Sequence, residues 1–88
     1  MSSKKDAQIL VLTTGLTLIA TVEEVGAAVP GEPDCKLVEP YVVKEHDILE
    51  PWLLNITNQS EVVISSDKIL TLVEPKTSLI AKYESMFD

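Results

Sequence analysis

The residues with the greatest acid–base or metal-binding potential are Glu45-His46-Asp47, followed closely by Glu50. A metal site needs an imidazole and carboxylates that converge on one point in a closed shell. Consecutive residues in a turn point in different directions, so this pattern favours a solvated turn over a metal site. We therefore expect no metal ion and no other cofactor.

The single cysteine, Cys35, could serve as a nucleophile only if folding brought His46 next to it. No activating motif surrounds Cys35, and the sequence has no Gly-rich phosphate loop, catalytic-triad motif or zinc spacing. A small, partly buried cysteine is the simpler interpretation. We predict that the protein is not an enzyme, with a hydrolase using Cys35 or His46 as the alternative.

The composition limits both the size of the fold and the kinds of partner. A chain of 88 residues predicts one domain, and few aromatic residues imply an aliphatic core. The net charge of -7 repels polyanions such as RNA and disfavours an anionic membrane surface. The lone cysteine and the absence of a convincing export signal in residues 9–25 predict a cytoplasmic protein, in a bacterium or a virus-infected host cell.

The elements that must position these residues are mostly short, β-rich runs. Residues 8–13 and 16–25 predict an opening hairpin around Gly15, and residues 26–34 predict a loop. Residues 35–45 and 48–57 predict two further strands, interrupted at Pro40 and Pro51, which we expect to form a long bent hairpin. Residues 1–7 are expected to be flexible, and residues 8–73 to form the barrel.

A period change after Pro75 predicts a short amphipathic helix over residues 75–87. Leu79, Tyr83 and Met86 should lie against the barrel or a neighbouring subunit, and Phe87 continues the apolar pattern. Thr77 or Ser78 is the expected N-cap.

The stretch around which the chain is organised is residues 60–75. Two short strands, residues 62–65 and 69–73, flank the polar turn Ser66-Asp67-Lys68. Two strands this short are not stable alone, so they must pair elsewhere in the chain or with a neighbour. A small β-barrel that assembles through its edges is the fold that meets this need.

Two segments carry a resemblance to a known family. Residues 9–25, ILVLTTGLTLIATVEEV, and residues 61–75 resemble the two sequence motifs of the Sm-like (LSm, Hfq-type) proteins. The similarity is greatest to the small phage-encoded Sm-like proteins of marine viruses. It implies a mainly β, strongly bent, SH3-like antiparallel barrel with a short C-terminal helix.

The resemblance also implies a homo-oligomeric ring, in which the fourth strand of one subunit pairs with the fifth of the next, and RNA as a possible ligand. The residues at the corresponding nucleic-acid positions are Asp34, Lys36, Ser66 and Lys68. The residues at the corresponding subunit interface are Val62, Val63, Ile64, Ile69, Leu70 and Leu72.

The sequence departs from the family at the second motif, where Asp67 stands in place of the expected basic residue. Neither loop carries an aromatic residue that could stack on a base. A protein–protein adaptor of the same fold, with no nucleic-acid role, is therefore the alternative function. Trp52 is either a binding platform for a partner or a residue of the core or the subunit interface.

Overall fold

The computed structural model describes residues 7–25 and 33–86. Within these ranges the chain forms one antiparallel sheet of six strands, a short C-terminal helix and two 3₁₀ turns. The predicted mainly β, barrel-like fold with a C-terminal helix is confirmed. The elements are β1 (Ala7–Leu12), β2 (Thr17–Glu24), β3 (Cys35–Lys44), the turn Glu45–Asp47, β4 (Ile48–Pro51), β5 (Glu61–Ile64), the turn Ser66–Lys68, β6 (Ile69–Val73) and α1 (Thr77–Ser85).

The opening hairpin is confirmed, because β1 pairs with β2 in antiparallel register. Gly15 makes its turn possible with a φ of 92°, a conformation that costs glycine little. Residues 1–7 were expected to be flexible, but Ala7 is buried in β1 opposite Thr21. Residues 1–6 lie outside the described residues, as do residues 26–32 of the predicted loop.

Strand β3 is the bent centre of the sheet. Its first half, from Cys35 to Val38, pairs with β5, and its second half, from Tyr41 to Lys44, pairs with β4 on the same edge. The change of partner occurs at Glu39-Pro40, where Glu39 has a φ of 54° and Pro40 has no N–H to donate. The interruption expected at Pro40 is thus present as a kink in the strand, where its register against β2 shifts.

The two faces of β2 contribute to separate core clusters, because successive side chains of a strand point to opposite faces. The inner cluster contains Leu18 and Ala20, and the outer cluster contains Ile19. The remaining buried members are Leu10, Leu12 and Leu37 in the inner cluster, and Ala7, Ile9, Leu79 and Tyr83 in the outer one.

Helix α1 therefore covers the outer face of the β1–β2 hairpin. The expected packing of Leu79 and Tyr83 on the sheet is confirmed, whereas Met86 is exposed. Phe87 lies outside the described residues. In the part of the chain that is described, no helix has the length and apolar character that a membrane crossing requires.

Two predictions about local structure are wrong. The strand expected over residues 48–57 ends at Pro51, because Leu53 has a φ of 70° and the Ile56 N–H donates to the Leu53 carbonyl in a turn, at 3.0 Å. Neither Thr77 nor Ser78 is the N-cap of α1. Lys76 holds that position without a side-chain cap, and the Ser78 hydroxyl lies 3.4 Å from a carboxylate oxygen of Asp47.

Candidate functional site

The two strands on either side of the Ser66–Lys68 turn diverge to opposite ends of the sheet. Strand β5 pairs with β3, and β6 pairs with β1. Within residues 7–25 and 33–86, the second edge of each strand has no strand partner. Both edges therefore present backbone N–H and C=O groups that another strand could pair with.

The turn is fixed in place at both of its ends. The N–H of Ser66 and the hydroxyl of Ser66 both donate to the Asp34 carboxylate, at 2.7 and 2.8 Å. On the other side, the N–H of Thr13 donates to the carbonyl of Lys68, at 2.9 Å. The turn is thus tied to the start of β3 and to the end of β1, which keeps β5 and β6 apart.

The hydrogen bonds from Ser66 change the acidity of Asp34. Both donors stabilise the charged carboxylate, the backbone N–H more than the hydroxyl, and hold the pKa of Asp34 below its usual 3.8. Asp34 is therefore ionised across the physiological pH range. Its charge stabilises the turn and adds a negative charge to a surface that was expected to contact nucleic acid.

The side chains of β5 divide between the protein's own core and the surface. Val62 and Ile64 stand opposite Leu37 and Cys35 of β3, and Ile64 packs against the inner cluster. Val63 faces the other way and is 46% exposed. Among the predicted interface residues of β5, Val63 thus has the largest apolar surface that a neighbouring molecule could cover.

Strand β6 exposes more apolar surface than β5. Its register against β1 shifts between Val11 and Leu12, which leaves Leu70 as an extra, unpaired residue with 70% of its surface exposed. Leu72 stands opposite Leu10 and is 44% exposed, while Ile69 packs against the inner cluster. The predicted interface residues of β6 therefore lie where the inner core opens towards solvent.

Lys36, one of the predicted nucleic-acid residues, is held in an ion-pair network. Its ammonium nitrogen lies 3.1 Å from a carboxylate oxygen of Glu23 on β2 and 3.6 Å from one of Glu61 on β5. The hydrogen bond and charge of Glu23, followed by the charge of Glu61, raise the pKa of Lys36. One cation between two carboxylates leaves a local excess of negative charge.

The structure brings together some of the predicted nucleic-acid residues and separates others. Asp34 and Ser66 are directly hydrogen-bonded, although 32 positions separate them in the chain. Lys36 points to the two glutamates, and Lys68 is exposed at the end of the turn next to exposed Asp67. The four residues thus do not form a cluster of positive charge.

A shallow polar cleft of about 380 Å³ lies beside β5, and no motif in the sequence indicates it. Lys36 and Val63 belong to β3 and β5, and the other lining residues precede or begin β5. The lining is made by Lys36, Asn58, Gln59, Ser60, Glu61 and Val63. The cleft places amide and hydroxyl groups next to the unpaired edge.

The catalytic alternative gains no geometric support. Cys35 is buried at the start of β3, whereas His46 lies in the turn that follows the other end of that strand. Burial, then the charges of Asp34 and Glu24, raise the pKa of the Cys35 thiol, which disfavours the reactive thiolate.

The acidic turn does not form a metal site either. Across the described ranges, no group of three or more His, Cys, Asp or Glu side chains is placed to hold a metal ion. Asp47 instead lies 3.6 Å from the ammonium of Lys76, and Glu50 lies 3.4 Å from that of Lys44. Trp52 is half-buried against the inner cluster, as expected if it is a packing residue.

Comparison with known proteins assigns this chain to a family whose biochemical role is open. Residues 5–88 match a family of unknown function (DUF6561), so the chain belongs to that family over almost its whole length. No curated protein matches the chain.

Proposed function

We propose that this protein is a non-enzymatic subunit of an Sm-like homo-oligomeric ring, which serves as a binding scaffold in the cytoplasm of a bacterial or virus-infected cell. The observation that carries the proposal is that, among the residues the structure describes, β5 and β6 each have one edge without a strand partner. An unpaired apolar edge promotes aggregation unless another strand covers it. Each contact between two copies covers the β5 edge of one and the β6 edge of the other, and a closed ring covers both edges of every subunit.

The two edges are different surfaces, so the contact between copies is head-to-tail. Strand β5 of one subunit pairs with β6 of the next, and repetition closes into a ring if the rotation per subunit divides a full turn. Val63 lies at one edge, and Leu70 and Leu72 lie at the other. The contact removes their exposed apolar surface from water, which favours assembly.

Native mass spectrometry at micromolar concentration tests the proposed assembly. A closed ring gives one discrete multiple of the 9.7 kDa chain, whereas an open head-to-tail filament gives a ladder of sizes. A spectrum that contains monomer alone contradicts the proposal.

The ligand of the ring is a separate question, and RNA is the first candidate. The resemblance to Sm-like proteins supports it, as does the repetition of Lys36 and Lys68 around a ring, which multiplies weak phosphate contacts by avidity. Fluorescence anisotropy with labelled oligo-U and oligo-A at low salt tests this candidate. Binding that weakens steeply with salt and in Lys68→Ala supports it, and no binding at micromolar protein removes it.

A protein partner is the second candidate, and the charges around the turn favour it. The ammonium of Lys36 is shared by Glu23 and Glu61. The turn carries the carboxylate of Asp67, and the carboxylate of Asp34 is hydrogen-bonded to its Ser66. A surface of this sign repels phosphate and attracts basic side chains. Affinity capture that enriches the same proteins with and without nuclease treatment supports an adaptor over an RNA-binding protein.

A further inference from the structure

The hydroxyl of Tyr83 connects helix α1 to the kink of β3. It lies 2.8 Å from the carbonyl oxygen of Glu39 and 3.2 Å from that of Val38. The ring is completely buried in the outer cluster and packs edge-on against Tyr41, with 6.1 Å between ring centroids. Burial, the largest cause, raises the pKa of Tyr83, so the hydroxyl keeps the proton that it donates.

The residues at this kink also hold both ends of the segment between β4 and β5. The N–H of Trp52 donates to the carbonyl of Pro40 at 3.1 Å, where the segment leaves β4. The N–H of Glu39 donates to the carbonyl of Ser60 at 2.8 Å, immediately before β5 begins. The start of β5 is therefore hydrogen-bonded to the kink.

The beginning of α1 contacts the turn that follows the second half of β3. Asp47, in the turn after β3, contacts the ammonium of Lys76 at 3.6 Å and the hydroxyl of Ser78 at 3.4 Å. Helix α1 thus spans the second half of β3, with contacts to the turn at one end and to the kink at the other.

We infer that Tyr83 is a positioning residue through which the docked helix α1 fixes the β3 kink and, with it, the orientation of the unpaired β5 edge. The inference about Tyr83 and the kink stands on the contacts above, and its consequence for assembly rests on the proposed function. Glu39 needs such support, because a non-glycine residue with a φ of 54° is in a sparsely populated conformation.

Amide hydrogen exchange of Tyr83→Phe tests the inference directly. The variant keeps the buried ring and removes only the hydroxyl, so exchange at the amides of Trp52 and Glu39 should rise about fivefold more than exchange in β1 and β2. Ile9→Val is the matched control, since it removes one methyl group from the same outer cluster without touching the kink. It should raise exchange without selectivity for these two amides.

A double variant distinguishes a local effect at the kink from a general loss of stability. Glycine adopts positive φ at little cost, so in a Glu39→Gly background the kink depends less on the hydroxyl, and Tyr83→Phe should lose most of its selective effect. The double variant also serves if Tyr83→Phe alone does not fold. An equal rise at all amides, or an undiminished effect in the Glu39→Gly background, would overturn the role of Tyr83.

The consequence for assembly is measured on the same proteins. Tyr83→Phe should raise the dissociation constant of the oligomer about fivefold more than Ile9→Val does. If the wild type assembles and the two variants weaken assembly equally, the link between α1 and the β5 edge is wrong. If the wild type is a monomer, the proposed ring fails, and the exchange experiment still decides the role of Tyr83.

Discussion

The Asp34 carboxylate accepts two hydrogen bonds from Ser66, one from its backbone N–H and one from its hydroxyl. This pair joins the start of β3 to the turn between β5 and β6. The turn directs β5 towards β3 and β6 towards β1, so the pair helps to create the two unpaired edges on which the proposed assembly depends.

Replacement of Asp34 should loosen this turn. Asp34→Ala removes both acceptors, whereas Asp34→Asn keeps one amide oxygen that can still accept from the Ser66 N–H. We expect the melting temperature to fall in the order wild type, Asp34→Asn, Asp34→Ala, as measured by circular dichroism. Asp67→Ala, in the same turn but exposed, is the control and should melt like the wild type. Equal melting temperatures for Asp34→Ala and the wild type would show that Asp34 does not stabilise the turn.

The hydrogen bonds between Asp34 and Ser66 also predict that the stability of the protein depends on pH. The pKa of Asp34 is lower in the folded protein than its usual 3.8, so its stabilisation is present above that value and is lost as the pH falls through the folded pKa. Urea unfolding at pH 6 and at pH 2 should therefore show a difference between wild type and Asp34→Ala that shrinks in acid. A difference that stays constant would show that the carboxylate charge is not its source.

A charge on the β6 edge should prevent assembly without unfolding the subunit. Leu72 is 44% exposed, and covering the remaining surface contributes about 1 kcal/mol per contact, to which an unpaired lysine would add a desolvation cost. We expect Leu72→Lys to raise the dissociation constant of the oligomer by about tenfold or more in sedimentation velocity.

Ala81→Lys provides the matched control, because it places the same charge on the exposed face of α1, away from both edges. It should assemble like the wild type. Equal loss of assembly in both variants would indicate an effect of net charge rather than of the β6 edge.

Glu39 should tolerate glycine better than an ordinary strand position does. Its φ of 54° costs a residue with a side chain roughly 1 kcal/mol, which offsets the entropy that glycine loses on folding. We expect Glu39→Gly to leave the free energy of unfolding unchanged or to raise it by up to about 1 kcal/mol. Glu24→Gly, at an exposed position of β2, should lower it by about 0.5–1 kcal/mol. If urea unfolding shows the same loss of unfolding free energy in Glu39→Gly and Glu24→Gly, the kink at Glu39 is not strained.

The sequence predicts the elements whose signals are local. Strand β6 and the turn Ser66–Lys68 occur where Val, Ile and Leu runs meet a polar turn, and Gly15 marks the first hairpin. The strand predicted beyond Pro51 fails because apolar residues such as Leu53 and Ile56 can also occupy a turn that tertiary contacts hold.

The relationships that define the site are not local, and no spacing rule contains them. Asp34 and Ser66 are 32 positions apart, and Tyr83 lies 44 positions from Glu39. The sequence placed Tyr83 on the buried face of a helix but could not show that its hydroxyl reaches the kink of β3. The positive φ of Glu39 was equally hidden, because glutamate carries no local signal for that conformation.

Light scattering coupled to size-exclusion chromatography, over a dilution series at low and moderate salt, tests the central claim that β5 and β6 are covered by neighbouring copies. The ring predicts a single mass that is a whole-number multiple of 9.7 kDa, and salt should strengthen it by screening the repulsion between subunits of net charge -7. A stable 9.7 kDa monomer at every concentration and salt would contradict the claim.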